Sequence, residues 1–152
     1  MYDRKHPSEN HVVDRRNIGT ILFCTVNLKI REPILNNPES MNTLIQVWEE
    51  AQAWLVGRYV IMPDHLHFFA SPASDIPLLN WIAYWRKQAT LAWPDTLKRP
   101  RWQLRGWDRQ MRTEQQYEEK WIYVQQNPVR AKLVVDSSDW PFQGELFHLK
   151  MY

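Results

Sequence analysis

His65 and His67 are separated by one residue in a segment, 65–71, of extended character. Side chains at i and i+2 of a strand leave on the same face, so the two imidazoles can converge on one divalent metal. The same spacing serves equally for two half-buried packing histidines, and the pair alone leaves both readings open. A second group is Tyr123 with Asn127. On a helix they stack on one face, which lets an amide oxygen reach a metal beside a phenol. With Tyr117 at zero and about 100° per residue, Trp121 falls at about 40° and Val124 at about 340°, a core stripe, while Tyr123 falls at about 240°. Tyr117 therefore reads as core and Tyr123 as the available phenol, with packing at an interface as its alternative role. The third feature is charge. Between Arg86 and Arg112 the eight basic residues Arg86, Lys87, Lys98, Arg99, Arg101, Arg105, Arg109 and Arg112 face only Asp95 and Asp108, a local +6 in a chain of net +2. Trp93, Trp102 and Trp107 are interleaved with them. Such a stretch suits a groove for a phosphate backbone with exposed bases, or equally a solvated loop flanked by core tryptophans.

These groups need elements to carry them. In 18–28, Leu22, Cys24, Val26 and Leu28 alternate with Ile21 and Phe23, so both faces are apolar and a central strand is expected. Asn37-Pro38 is an N-cap with proline at the first helical position, and Leu44, Val47, Trp48 and Ala51 follow as an amphipathic stripe, predicting a helix to about residue 52. Residues 53–62 are rich in strand formers, Pro63-Asp64 breaks them, and 65–71 resumes, predicting neighbouring antiparallel strands. Asp75 is placed to cap a second helix through about Leu91, before Pro94. A further strand is read over 102–110. Thr113 and Gln116 form a capping box for a third helix that Pro128 should stop near Asn127. The short apolar piece Leu133, Val134, Val135 and a polar, aromatic tail follow. The order β, α, β, β, α, β, α predicts an α+β fold: a ferredoxin-like sandwich, an antiparallel sheet with helices on one face, plus an added C-terminal helix, the one that carries Tyr123. The expected organisation is an irregular lead-in over 1–16, one domain over 17–143 and a tail over 144–152.

Length and composition narrow the classes. With 152 residues, 44% hydrophobic and 24% charged, the chain has material for one packed core and too little for a cofactor domain plus a substrate domain. Four glycines leave no phosphate-cradling loop, which excludes P-loop and dinucleotide-binding enzymes. One cysteine, Cys24, cannot form an internal disulfide, no Cys/His set has the spacing of a structural zinc site, and no apolar run is long enough for a membrane span. A cytoplasmic protein with no membrane partner and no nucleotide cofactor is expected.

The motifs Val60-Ile61-Met62-Pro63-Asp64-His65-Leu66-His67 and Tyr123...Asn127-Pro128-Val129-Arg130-Ala131, with the strand over 19–27, the segment Trp102-Gln103...Gly106-Trp107-Asp108-Arg109, and Asp139-Trp140-Pro141-Phe142, occur in order over 17–143. His-hydrophobic-His has the form of the HUH motif of single-strand nucleases. Together the segments resemble the REP-associated tyrosine transposases, relatives of the single-tyrosine HUH insertion-sequence transposases. Lys132 departs from the pattern, standing where many relatives carry glycine.

The resemblance implies His65 and His67 as metal ligands, Asn127 as a further ligand and Tyr123 as the catalytic nucleophile. Mg²⁺ or Mn²⁺ is the implied cofactor, and Asp64 receives no ligand role because its side chain is expected on the other face. The implied activity is a metal-dependent single-stranded DNA endonuclease and transposase that cleaves and rejoins DNA next to hairpin, REP-like sequences through a 5′-phosphotyrosine. The partner is then single-stranded or hairpin DNA, with Arg86, Lys87, Arg101, Arg105, Arg109, Trp102 and Trp107 as its contacts and Trp81 with Trp85 as a further stacking pair. A monomer acting at the nucleoid is expected, with a dimer sharing active sites, as in the insertion-sequence relatives, as its alternative. The alternative from another class is a ferredoxin-like nucleic-acid-binding module without catalysis, in which the histidines are structural.

Overall fold

A computed structural model of the chain describes residues 19–103 and 107–151. The alternation in the first apolar run becomes β1 (Ile21–Asn27), the second strand in a five-stranded sheet. Cys24, Val26 and Leu28 enter one core cluster, Ile21 and Phe23 the other, so the strand is buried on both faces as its composition requires. It pairs antiparallel with β3 (His65–Pro72) and with β4 (Trp107–Met111). β2 (Trp54–Ile61) pairs with β3 and, on its other edge, with β5 (Gln143–Glu145), giving the order β4-β1-β3-β2-β5. The first four strands in this order are those of the expected ferredoxin-like sandwich.

One face of the sheet is covered by α1 (Pro38–Glu50) and α2 (Leu78–Ala92). Asn37 caps α1 by accepting from the Ser40 amide at 2.8 Å. Leu44, Val47 and Trp48 of α1 and Trp81, Ile82, Trp85 and Ala89 of α2 bury their stripe against Leu66 and Phe68 of β3. Trp48 meets Trp85 edge-on at 5.6 Å, and the Trp81 indole donates to Ala51 O at 2.7 Å. Burying one such ring is worth on the order of 5 kcal/mol before ordering entropy is subtracted.

The other face is covered by α3 (Glu114–Gln125), whose Tyr117 and Val124 pack on Phe23, Val60, Met62 and Phe69. It is followed by α4 (Asn127–Arg130) and a 3-10 turn, Ser137–Asp139. A register break between Val56 and Tyr59 turns Arg58 to this face, its guanidinium 4.8 Å from the Tyr117 ring centre. At that break Gly57 lies under Leu149; a Cβ there would stand 2.6 Å from the leucine side chain.

Several expectations are corrected. Asp75 does not cap α2: Pro77 holds the N-cap position with no side-chain hydrogen bond, two residues beyond the predicted cap. α3 stops at Gln125, close to the expected end before Pro128, but the chain then enters a short helix not foreseen, α4, whose first turn holds Pro128, because proline fits a first turn as well as it blocks an interior. The strand read over 102–110 is β4 alone within the described residues, with Trp102 in an isolated bridge to Leu28. The tail set at 144–152 is part of the fold, since β5 straddles its boundary and Leu149 is buried. The lead-in over 1–16 lies outside the described residues.

Candidate active site

β3 starts directly after a turn closed by the Met62 amide donating to His65 O at 2.9 Å. Leu66 and Phe68, both fully buried on the α1/α2 face, fix the strand's phase, so His65 and His67 emerge on the α3 face. Their ring centres are 4.8 Å apart with planes at 82°. His67 also stacks on Phe23 of β1 at 5.4 Å.

On the helical side, Thr113 caps α3 by accepting from the Gln116 amide at 3.0 Å, and the Gln116 side chain accepts from the Arg112 amide at 2.6 Å. The capping box thus closes on Arg112, one residue before the cap. Tyr117 and Val124 anchor the helix to the sheet. Tyr123 stands 57% exposed against 5% for Tyr117, the assignment that helical angles predicted. Tyr123, Asn127, His65 and His67 line one cleft of about 460 Å³, together with Thr25, Lys120 and Arg130.

Two cations hold the phenol ring. The Arg130 guanidinium lies 4.0 Å from the Tyr123 ring centre and donates to Tyr123 O at 2.8 Å and to Asn127 Oδ1. The Lys120 ammonium sits 5.2 Å from the same ring centre and 4.8 Å from that of Phe23. Burial, then the charges of Arg109 and Arg130, pulls the Lys120 ammonium below its usual pKa. His67 is pushed down to about 3, chiefly by burial and further by His65, Lys120 and Arg130, so its imidazole is neutral at physiological pH.

Asp64 departs from expectation. Its Oδ1 lies 2.7 Å from His65 Nδ1 and its Oδ2 accepts from Arg31 Nε at 2.9 Å. The strict alternation that sent it to the other face holds inside a strand, and Asp64 belongs to the turn that precedes one. Burial opposes ionisation of Asp64, but the hydrogen bonds and charges of Arg31 and His65 outweigh it and hold the carboxyl below its usual range. Thr25 Oγ1 lies 2.9 Å from His67 Nδ1, directly across the β1–β3 ladder. Among the described residues no third His, Cys, Asp or Glu joins the pair to form a metal-binding group. The donors fit a divalent ion nonetheless: a neutral imidazole, a second one with its Nδ1 held by a carboxylate, and an amide oxygen on the facing helix.

The proposed DNA contacts divide between two places. Arg86, Lys87 and Trp102 line a hollow of about 350 Å³ with Ala83, Thr90 and Leu91, in the α2 layer. Trp102 is half-buried, edge-on to Trp85 at 5.6 Å and bonded through its indole N–H to Thr90 Oγ1 at 3.0 Å. Arg86 donates to Gln103 O, and Arg101 is exposed, its carbonyl accepting from the Lys29 amide at 2.6 Å. Arg109 lies opposite Phe23 and so belongs to the face of the cleft. Arg105 and the Trp107 side chain lie outside what the structure describes. Trp81 and Trp85 are core residues, 1% and 0% exposed, and cannot stack bases. Sequence reasoning gave no role to Thr25, Arg31, Asp64, Lys120 or Arg130. Only the two helical cations carried a usable signal, at i−3 from Tyr123 and i+3 from Asn127.

No family model matches the chain. The chain is 30% identical over 128 residues to a REP-associated tyrosine transposase of Escherichia coli K12, an alignment covering 82% of this chain and 75% of that protein. It is also similar to the solved structure of a REP-associated tyrosine transposase bound to a REP hairpin, with a TM-score of 0.67 and 30% identity over 83% of this chain and 76% of the other. With that identity over four-fifths of its length, the chain belongs to the REP-associated tyrosine transposases.

Proposed function

We propose that the chain is a metal-dependent single-stranded DNA endonuclease and strand transferase that cleaves and rejoins DNA beside hairpin, REP-like sequences through a 5′-phosphotyrosine. The observation that carries this reading is the exposed phenol of Tyr123 on the wall of the same cleft as His65 and His67. Hairpin DNA as the partner is supported by the related transposase bound to a REP hairpin.

In this reading Tyr123 Oη attacks the scissile phosphorus, forming the phosphotyrosine bond as the bond to the 3′ oxygen breaks. The phenol gives up one proton and the released 3′ oxygen takes one up. Because the new bond is itself a phosphodiester, a 3′-hydroxyl can later displace Tyr123 and rejoin strands without ATP. His65, His67 and Asn127 would hold Mg²⁺ or Mn²⁺, which when bound would supply Lewis-acid charge withdrawal from the phosphate and favour departure of the 3′ oxygen. Asn127 Oδ1, which accepts from Arg130, would have to give up that bond to hold the metal; Arg130 and Lys120, both beside the phenol, are placed to offset the negative charge of the phosphate.

The test is incubation with labelled hairpin oligonucleotides carrying a single-stranded flank, with Mg²⁺ or Mn²⁺ and with chelator. A protein–DNA band that survives denaturation is expected only with metal. Tyr123→Phe should bind the hairpin unchanged and form no such band; an undiminished adduct in that variant refutes the assignment. Binding without any adduct in the parent chain would favour the non-catalytic module.

A further inference from the structure

Each histidine of the cleft has its Nδ1 committed to an oxygen from outside its own strand. For His65 the partner is Asp64 Oδ1 at 2.7 Å, in a carboxylate whose other oxygen is held by Arg31 at 2.9 Å. For His67 it is Thr25 Oγ1 at 2.9 Å. The partners come from different elements, the turn before β3 and the middle of β1, and Arg31 reaches the turn from the segment that follows β1. Among the described residues neither ring has a hydrogen bond through Nε2. A carboxylate can only accept, so His65 carries its proton on Nδ1. A threonine hydroxyl can donate or accept, and the His67 tautomer follows from which it does.

The geometry points to Asp64 and Thr25 as positioning residues, with Arg31 fixing Asp64: they set both rings in the Nδ1–H tautomer and leave both Nε2 lone pairs free for the cleft. The inference rests on the reading of His65 and His67 as metal ligands, and it adds the residues that prepare them. A neutral imidazole free to exchange tautomers presents a proton to the metal side for part of the time, and a ring free to rotate presents its edge. The Asp64 carboxylate removes both options for His65 before any ion arrives, and Thr25 Oγ1 does the same for His67 in the accepting role assigned to it. Arg31 also ties the segment after β1 to the β2–β3 turn, where Leu28 N donates to Asp64 O at 3.1 Å.

The experiment uses the full chain. Two-bond ¹H–¹⁵N correlation spectra at neutral pH, without metal, report the tautomer of each histidine, and Mn²⁺ titration reports affinity. In the parent chain both rings should show an unprotonated Nε2. Asp64→Ala should scramble the His65 tautomer alone, and Thr25→Val that of His67 alone, each with about a 10- to 100-fold loss of Mn²⁺ affinity. Thr25→Ser should restore both readouts. Arg31→Met, at an exposed position, should weaken Mn²⁺ binding several-fold and serves should Asp64→Ala not fold. Protonated Nε2 in the parent chain, or unchanged tautomer and affinity in the variants, would overturn the inference. A parent chain with the expected tautomers and no Mn²⁺ binding would instead sink the ligand reading while upholding the tautomer assignment.

Discussion

Tyr117 and Tyr123 share one helix, and their surroundings give them separate chemistries. Burial pushes the Tyr117 phenol up to about 12, with Glu145 and Glu118 adding to the rise and Arg58 opposing it. The folded protein therefore keeps this phenol neutral where the unfolded chain, near 10, ionises it. Folding stability linked to it is complete below pH 10 and falls as pH rises from about 10 to about 12. Among the described residues the buried hydroxyl has no hydrogen-bond partner. Tyr117→Phe should thus leave stability at neutral pH unchanged or raise it by up to about 1 kcal/mol. It should also remove part of the alkaline decline, as read by urea unfolding across that pH range. A second residue-scale expectation concerns Cys24. Its thiol is fully buried and raised well above the usual range, by burial first and then by the charge of Asp108. It should resist aromatic disulfide reagents in native buffer and react fully in denaturant; fast native labelling would contradict its place in the core. Periodicity separated Tyr117 from Tyr123 because both lie in regular helix. It could not find Asp64, whose role depends on a turn, or Thr25, which only the strand register brings to His67.

At the scale of elements, α4 carries Asn127, and its end explains Lys132. Leu133 N donates to Pro128 O and Lys132 N to Val129 O, both at 2.9 Å, which is the Schellman pattern of helix closure. Lys132 takes φ 61°, the left-handed conformation that glycine adopts without a Cβ penalty. The departure from the family pattern thus falls on the residue that ends the helix. Lys132→Gly should stabilise the fold by about 0.5–1 kcal/mol, measured by chemical denaturation, with adduct formation unchanged. A loss of stability would mean that the lysine side chain contributes more than its backbone costs. The three long helices were legible because each carries an apolar stripe or a cap, and β1, β2 and β3 because each is a run of strand formers; β4, Trp-Asp-Arg-Gln-Met, has no such pattern and its bounds were missed. β5 was not legible: it is three residues, Gln143–Glu145, held by pairing to an edge, and no period fits into so short a run.

For the molecule as a whole, a net charge of +2 is too small to attract DNA without local concentration. The sheet separates its cations: Arg109, Lys120 and Arg130 gather on the face of the tyrosine helix, while Arg86 and Lys87 flank Trp102 in the α2 layer. The sequence showed one basic stretch, because it cannot show that a strand between two layers sends neighbours to different sides. A hairpin with a single-stranded flank has enough backbone for both, and the two groups should then differ in what their loss does. Lys87→Ala should weaken hairpin binding and reduce the salt slope of log affinity by about 0.7–0.9, one phosphate contact, with the adduct rate at saturating DNA unchanged. Arg109→Ala should weaken binding and also slow adduct formation, because it removes a positive charge from the face that carries the phenol, where charge on the attacked phosphate would be stabilised. Filter binding across a salt series, paired with single-turnover adduct kinetics, measures both. If Lys87→Ala leaves affinity and slope as in the parent chain, the α2 surface lies off the DNA path and the nucleic acid is held by the face of the tyrosine helix alone.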